Sequence, residues 1–433
     1  MAGRQIIHDG TAVFLTCFFN IATIFLTIVY SIAMQTEMGH KVKRGPAEKV
    51  RINKPTLMVL AVSAIVFVAL FLWARSGGES YPKGSEYVEY EKAVVKSVMS
   101  DNTEADPSSD YAYRGEQSLV CEVQTGQYKG EELLSFNYIG PLYGVPVSEG
   151  DHVILTISTH SDGEHNATVY EFNRIPAVIG IIAVFFIVVV LVGGMTGLKS
   201  IIGLVFTIIC LFMILIPMLI KGAPTLPATF LMCVYISVVS FTVLGGVCRK
   251  SISAFTGTVC GTAFAMLFSV ASQALTRING LRLSDVEPLL QMRQTGLPIG
   301  LRGLLTAGII ISSLGAVMDV AMSISSSLEE VHQANPALGT RDLFLSGLNI
   351  GRDIVGTMTN TLILAFLGSG FTLIIYLHSL GLSFYQLYSS AYAGIEIISG
   401  ISCSIGMILT IPLTAAIASA LIKRTSANTA VNK

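Results

Sequence analysis

Three sets of residues could do chemistry in this chain, and all of them sit in or beside long apolar runs. GLLTAGIIISSLGAVMDVAMSISSSLEE carries Asp319, and GRDIVGTMTNTLILAFLG opens on Arg352 and Asp353 before Thr357, Thr359, Asn360 and Thr361. Glu396 opens the last apolar run, ahead of Ser399, Ser402, Cys403 and Ser404. An ionisable side chain in the middle of a membrane helix costs about 2.5–3.5 kcal/mol on insertion scales, so such groups mark either a lock between helices or a path for an ion or solute. Both chemistries can be written here. An Asp319–Arg352 ion pair between neighbouring helices would offset the burial penalty of each partner. A polar column running from Glu396 through Asn360 to Asp319 would instead offer steps for a proton, cation or small solute.

Other chemistries find no residues to carry them. No Gly-x-Ser-x-Gly, His-Glu-x-x-His or Walker loop occurs, so neither hydrolysis nor nucleotide coupling has a motif, and the chain is not expected to be an enzyme. Of the seven cysteines, Cys17, Cys210, Cys233, Cys248, Cys260 and Cys403 lie in or at the ends of apolar runs. Cys121 alone lies in a polar region, which excludes a disulfide within it. No Cys/His spacing suits zinc, and no cofactor is expected.

The elements that must position these residues follow from composition. Hydrophobic residues make up 52% and charged residues 13%, against about 25% charged in soluble proteins, and mean hydropathy is +0.66. The chain reads as a polytopic membrane protein whose partner is the lipid bilayer, and no nucleic-acid function suits it. Runs of eighteen or more apolar residues indicate helices rather than barrel strands. The expected fold is an all-α polytopic bundle of eight or nine transmembrane helices with a small extracytoplasmic all-β domain of OB-like type inserted.

In chain order, Ala12–Met34 is a first span. The linker from Gln35 to Pro55 carries Lys41, Lys43, Arg44, Lys49, Arg51 and Lys54 against Glu37 and Glu48, an excess that places it in the cytoplasm. Thr56–Trp73 is a second span. Residues 75–174 then change character: short alternating runs such as SLVCEVQT, ELLSFNYI and DHVILTIS, punctuated by Gly, Asp, Asn and Pro, predict five strands. This region holds seventeen acidic and seven basic side chains, a solvated acidic surface, and its insert Asp101–Asp110 reads as a mobile loop.

Seven further spans are expected at Ile175–Val192, Ile201–Ile220, Pro227–Gly246, Ala254–Leu275, Leu304–Ser323, Val355–Leu377 and Ile397–Ile422. The domain division is 1–55, 56–74, 75–174, 175–424 and a tail at 425–433. Basic residues at Lys199, Arg249, Lys250, Arg341, Arg352, Lys423 and Arg424 put one set of span ends in the cytoplasm, with the C-terminus there and the N-terminus outside. Arg277, Arg282, Arg293 and Arg302 in the loop Thr276–Gly303 run against that assignment. Within the loop Val286–Arg293 should lie flat as an interfacial turn of helix, and Thr340–Leu348 should lie on the inner surface before the next span. Small residues at helical spacing, such as Gly257 with Gly261, let helix backbones approach closely.

Three stretches, SSLGAVMDVAMSISSSLEE, SGLNIGRDIVGTMTNTLILAFLG and EIISGISCSIGMILTIPLTA, resemble the signatures of the YibE/YibF family of bacterial membrane proteins. GLKSIIGL and the β-domain segment QTGQYKGEEL resemble its longer, YibE-like members. The resemblance covers most of the chain from Thr56 onward and implies a bacterial plasma-membrane location, with no substrate attached. Two functions follow from the residues. A secondary transporter would use the intramembrane carboxylates and the Gly- and Pro-interrupted helices on a small ion or solute. A scaffold would use the β-domain to bind an envelope protein, with the charges locking helices.

Overall fold

The computed structural model describes residues 54–75, 88–107, 112–159, 165–280, 286–294, 296, 298 and 300–431. The expected span Ala12–Met34 and nearly all of the basic linker lie outside the described residues. The chain divides into two compact units, one of residues 81–192 and one of residues 1–80 with 193–433.

In the first unit, alternation of apolar and polar residues builds strands β1 (Val88–Asp101), β2 (Glu104–Ala105), β3 (Tyr113–Val123), β4 (Glu132–Ile139), β5 (His152–Thr159) and β6 (His165–Phe172). The sheet order is β1-β5-β6-β4-β3-β2, and β1 also pairs with β3, which closes the sheet into a small barrel. All neighbours are antiparallel except β4 and β6, which run parallel at Ser135–Phe136 and Ala167–Thr168. Every second side chain points inward, so Val95, Leu119, Cys121, Val153, Leu155 and Ile157 form a dry core. Burial pushes the Cys121 thiol up, partly countered by a hydrogen bond involving Ser135, which leaves it a packing residue.

A pair of buried amides ties the loop between β4 and β5 to the sheet. Asn137 Nδ2 donates to Gln117 Oε1 (3.0 Å) and to the Val145 carbonyl (2.9 Å), while Gln117 Oε1 also accepts from the Val147 amide (3.0 Å). This satisfies backbone groups of a loop that would otherwise be stranded. The insert expected to be a mobile loop is ordered in part. Asp106 is buried and ion-paired with Arg114 at 2.9 Å, and β2 pairs with β3, so local pairing overrides the polar composition; residues 108–111 lie outside the described set.

The helices are α1 (Lys54–Arg75), α2 (Ile175–Cys210), α3 (Ile216–Ile220), α4 (Thr225–Gly245), α5 (Arg249–Thr276), α6 (Val286–Gln294), α7 (Leu304–Ala334), α8 (Thr340–Ser369), α9 (Phe371–Ser379), α10 (Phe384–Ser389) and α11 (Ala391–Val431). Among the described residues six helical runs are long and apolar enough to cross a membrane, or seven if α8 and α9 make one broken span. The two spans expected at Ile175–Val192 and Ile201–Ile220 fall in one apolar run of 46 residues, which is kinked between them at Gly194 and carries a π-helical turn at Leu211–Leu215 inside the second. At about 1.5 Å per residue that run is roughly twice as long as a 30 Å hydrocarbon core. Gly194, at φ 56 and ψ −136, breaks its helical geometry, a conformation that a residue without a β-carbon adopts at little cost.

Three helices, α5, α7 and α11, make the densest packing of the second unit. A β-carbon at Gly261 of α5 would lie 1.8 Å from Thr410 Oγ1 and 3.1 Å from the Gly406 carbonyl of α11. One at Gly406 would lie 2.6 Å from Ala265. Backbone-to-backbone approach of this kind replaces the hydrophobic driving force that lipid cannot supply.

Helix α8 begins well before the expected span. Thr340–Leu348 is not a separate surface segment but its first turns, because Leu343 is fully buried and Gly347 sits against Leu328 of α7 and Ala415 of α11. At the other end the expected span Val355–Leu377 is bent: α8 stops at Ser369 and α9 leaves at 58°.

Candidate functional site

The break in α8–α9 is made at Gly370. Its amide donates to the Phe366 carbonyl (3.0 Å) and its own carbonyl accepts from the Ile374 amide (3.0 Å), so hydrogen bonding persists on both sides while the axis turns. Helix α11 places a carboxylate directly against this backbone. A β-carbon at Gly370 would lie 3.1 Å from Glu396 Cγ and 3.3 Å from Cδ. One turn further along α11, Gly400 faces Phe366, its β-carbon position 3.6 Å from Phe366 Cβ. Glycine on both helices lets α11 approach α8 closely enough for Glu396 to touch the break.

Beside Glu396 lies a cavity of about 450 Å³. Its walls come from four helices, among them Ile363, Phe366 and Leu367 of α8, Leu373, Ile374 and Leu377 of α9, Leu387 and Tyr388 of α10, and Ala393, Glu396, Ile397, Gly400 and Ile401 of α11. The α10 wall is held by a capping box in which the Ser383 amide donates to Gln386 Oε1 (2.9 Å) and the Gln386 amide donates to Ser383 Oγ (3.4 Å). Glu396 is the one charged residue lining the cavity, and its carboxylate makes no hydrogen bond or ion pair to any described residue. The arrangement offers a single anionic group, the peptide dipoles of a broken helix, and otherwise apolar walls. Among the described residues no three His, Cys, Asp or Glu side chains are grouped to hold a metal ion.

The remaining residues singled out by the sequence are dispersed. Asp319 lies at the middle of α7, exposed on a stripe with Gly308, Ser312, Gly315 and Ser323. No ion pair joins it to Arg352, whose Nη1 donates instead to Asn349 Oδ1 (3.3 Å) on its own helix. The reason is rotational. Gly347 and Gly351 turn one face of α8 onto α7 and α11, and Arg352, about 100° further round, points out of the bundle. Asp353 and Asn360 are exposed on α8 as well. Thr357 Oγ1 donates to the Ile354 carbonyl (3.2 Å) and Thr361 Oγ1 to the Thr357 carbonyl (3.0 Å), so these hydroxyls are satisfied within their helix. Asn360 hydrogen-bonds to neither Glu396 nor Asp319, and the expected column is not linked.

Polar contacts that the sequence did not single out join the packed helices. Gln273 Nε2 on α5 donates to Thr306 Oγ1 on α7 (2.6 Å) and to Ser269 Oγ (3.0 Å), and Ser253 Oγ donates to Ser325 Oγ (2.9 Å). Tyr235 of α4 donates its hydroxyl proton to the Ser63 carbonyl of α1 (2.7 Å). Hydroxyls on an apolar helix read alike whether they bond within the helix or across to another, so only the packing separates these from Thr357.

A family model described as YibE/F-like protein matches residues 181–424, more than half of the chain, and includes every helix that builds the cavity. No curated protein and no solved structure matches the chain.

Proposed function

The chain belongs to the YibE/F-like family, and on that premise we propose that this membrane protein is a secondary transporter of the bacterial plasma membrane, with its substrate site at the break between α8 and α9. The observation that carries the reading is Glu396 against Gly370, beside the cavity. Irregular backbone at membrane depth is tolerated where it is buried or lines a cavity, and interrupted helices beside an ionisable group recur at transport sites. A carboxylate without a partner among the described residues is free to exchange a proton or to pair with a cation. Transport driven by an ion gradient needs neither a nucleotide site nor a nucleophile, in keeping with the motifs the chain lacks.

In this reading residues 75–174 face outward, the C-terminal tail is cytoplasmic, and the barrel is OB-like, a description supported by its closed strand order and its one parallel pair. Cysteines introduced at Ser108 and Ser426 should then label from opposite sides of the membrane.

One observation favours a second role for the barrel, as a docking module for an envelope protein. Its outer surface exposes Leu134, Tyr138, Tyr90 and Tyr170, the last two in edge-to-face contact at 5.1 Å.

The test is flux in vesicles reconstituted with the full chain. Glu396→Gln should fold and abolish gradient-driven accumulation, because it keeps shape while removing the charge. Undiminished accumulation by a well-folded Glu396→Gln protein would remove the site from the mechanism.

A further inference from the structure

Resting on that transport reading and going further, we infer that the cavity beside Glu396 takes a lipophilic monovalent cation. Five features point to this class. At about 450 Å³ the cavity falls within the range of sites for drug-sized molecules, roughly 300–1,000 Å³, and is far larger than a bare ion needs. Its walls are apolar apart from Glu396 and Tyr388, so a divalent metal, which wants six or more oxygen ligands, would find one carboxylate. A strongly hydrated small cation would lose its water for the same single group. A large cation whose charge is spread under apolar groups has little hydration to lose and gains by burying that surface.

The charge requirement follows from Glu396 itself, which no described residue neutralises. An anion would be repelled there, and a neutral molecule of the same shape would leave the carboxylate unpaired in apolar surroundings. Phe366 and Tyr388 add aromatic rings to the lining, a residue type that attracts cations. Ile397 and Ile401 line the cavity while remaining exposed at a surface that lipid would cover, so a ligand partitioned into the bilayer has direct access.

The experiment is equilibrium binding of radiolabelled tetraphenylphosphonium to the full chain in lipid nanodiscs, with empty nanodiscs as background. Saturable binding is expected, weakened at least about tenfold in Glu396→Gln and not displaced by neutral triphenylphosphine oxide. Leu367→Trp, at a half-exposed cavity wall, should fill the space and abolish binding without unfolding the chain, and it decides the matter if Glu396→Gln fails to fold. No saturable binding, or equal binding by folded Glu396→Gln or Leu367→Trp protein, overturns the inference. Tetraphenylphosphonium bound as expected, but with no Glu396-dependent accumulation above that of protein-free vesicles under an imposed gradient, would overturn the transport reading and leave the inference standing. Glu396-dependent accumulation of another solute, with no tetraphenylphosphonium bound, would do the reverse.

Discussion

Helix α11 is packed in two opposite ways along its length. From Cys403 to Ala418 it lies in a seam with α5 and α7 so close that Gly261 and Gly406 have no room for a side chain. From Ala391 to Ile401 the same helix meets a broken partner, borders a cavity and leaves Ile397 and Ile401 exposed. The first half has no slack to move, because shifting it would drive backbone into backbone. The second half faces short helices α9 and α10, which pack little against the other described elements. The Glu396 carboxylate lies within the looser regime, on a helix whose continuation is anchored in the seam, so its surroundings can rearrange as the proposed transport would require.

Four measurements would break or sharpen this contrast. The largest effect belongs to the seam. Gly261→Leu should cost about 3 kcal/mol or more, the upper end of overpacking penalties, because both Thr410 and backbone stand in the way. Loss of a monodisperse, cooperatively melting protein is the readout. A Gly261→Leu protein as stable as the parent would mean that the seam is not rigid.

At the break, the expected effect on stability is smaller and the effect on function larger. The β-carbon of Gly370→Ala meets Glu396 Cγ at 3.1 Å, the middle of a side chain that can turn aside. The substitution should cost under about 1.5 kcal/mol, as off-rotamer side chains do, while lowering flux several-fold by displacing the carboxylate. If the melting temperature fell as far as in Gly261→Leu, the two regimes would be one.

Asp319 and Arg352 test whether charge, rather than packing, ties α7 to α8. Since the two do not pair, a double-mutant cycle of Asp319→Asn and Arg352→Gln should give a coupling energy below about 0.5 kcal/mol, the additivity limit for independent sites. A buried lock would instead show about 3–5 kcal/mol on removal of one partner, restored in the double variant.

The smallest effect lies in the barrel, measured on residues 78–173 expressed alone, which should fold as a monomeric β-rich domain without a disulfide. Hydrogen bonds from Thr103 and then Gln117 hold the Asp101 carboxyl below its ordinary range. A lowered folded value means that its contribution is complete above the unfolded value near 3.9 and is lost as pH falls through the folded one. The thermal midpoint should therefore hold steady from pH 7 to about 5 as far as this group is concerned, and fall further below about pH 4 in the parent than in Asp101→Asn. Equal acid sensitivity in both would show that the bonds to Asp101 add nothing.

Some of this was legible in the chain and some was not, and the division has a physical basis. Alternation in ELLSFNYI and DHVILTIS is a one-dimensional signal that becomes β4 and β5, and the length of an apolar run fixes that it forms a helix able to cross a membrane. Family membership also stood in linear motifs, and the matched region contains the three long ones and GLKSIIGL, while QTGQYKGEEL of the β-domain lies outside it. The break at Gly370 did not stand there, since glycine inside an apolar helix is tolerated at many places, and α8 bends where α11 lies against it. Nor did the fate of Arg352, whose partner depends on a rotation of about 100° round α8 set by how Gly347 and Gly351 seat on other helices. The sequence by itself determined which segments are apolar, which alternate, and which ionisable residues enter the membrane-spanning runs. Only the tertiary structure decided that Glu396 meets a broken helix while Asp319 lies on an open face, because both outcomes depend on contacts between helices distant in sequence.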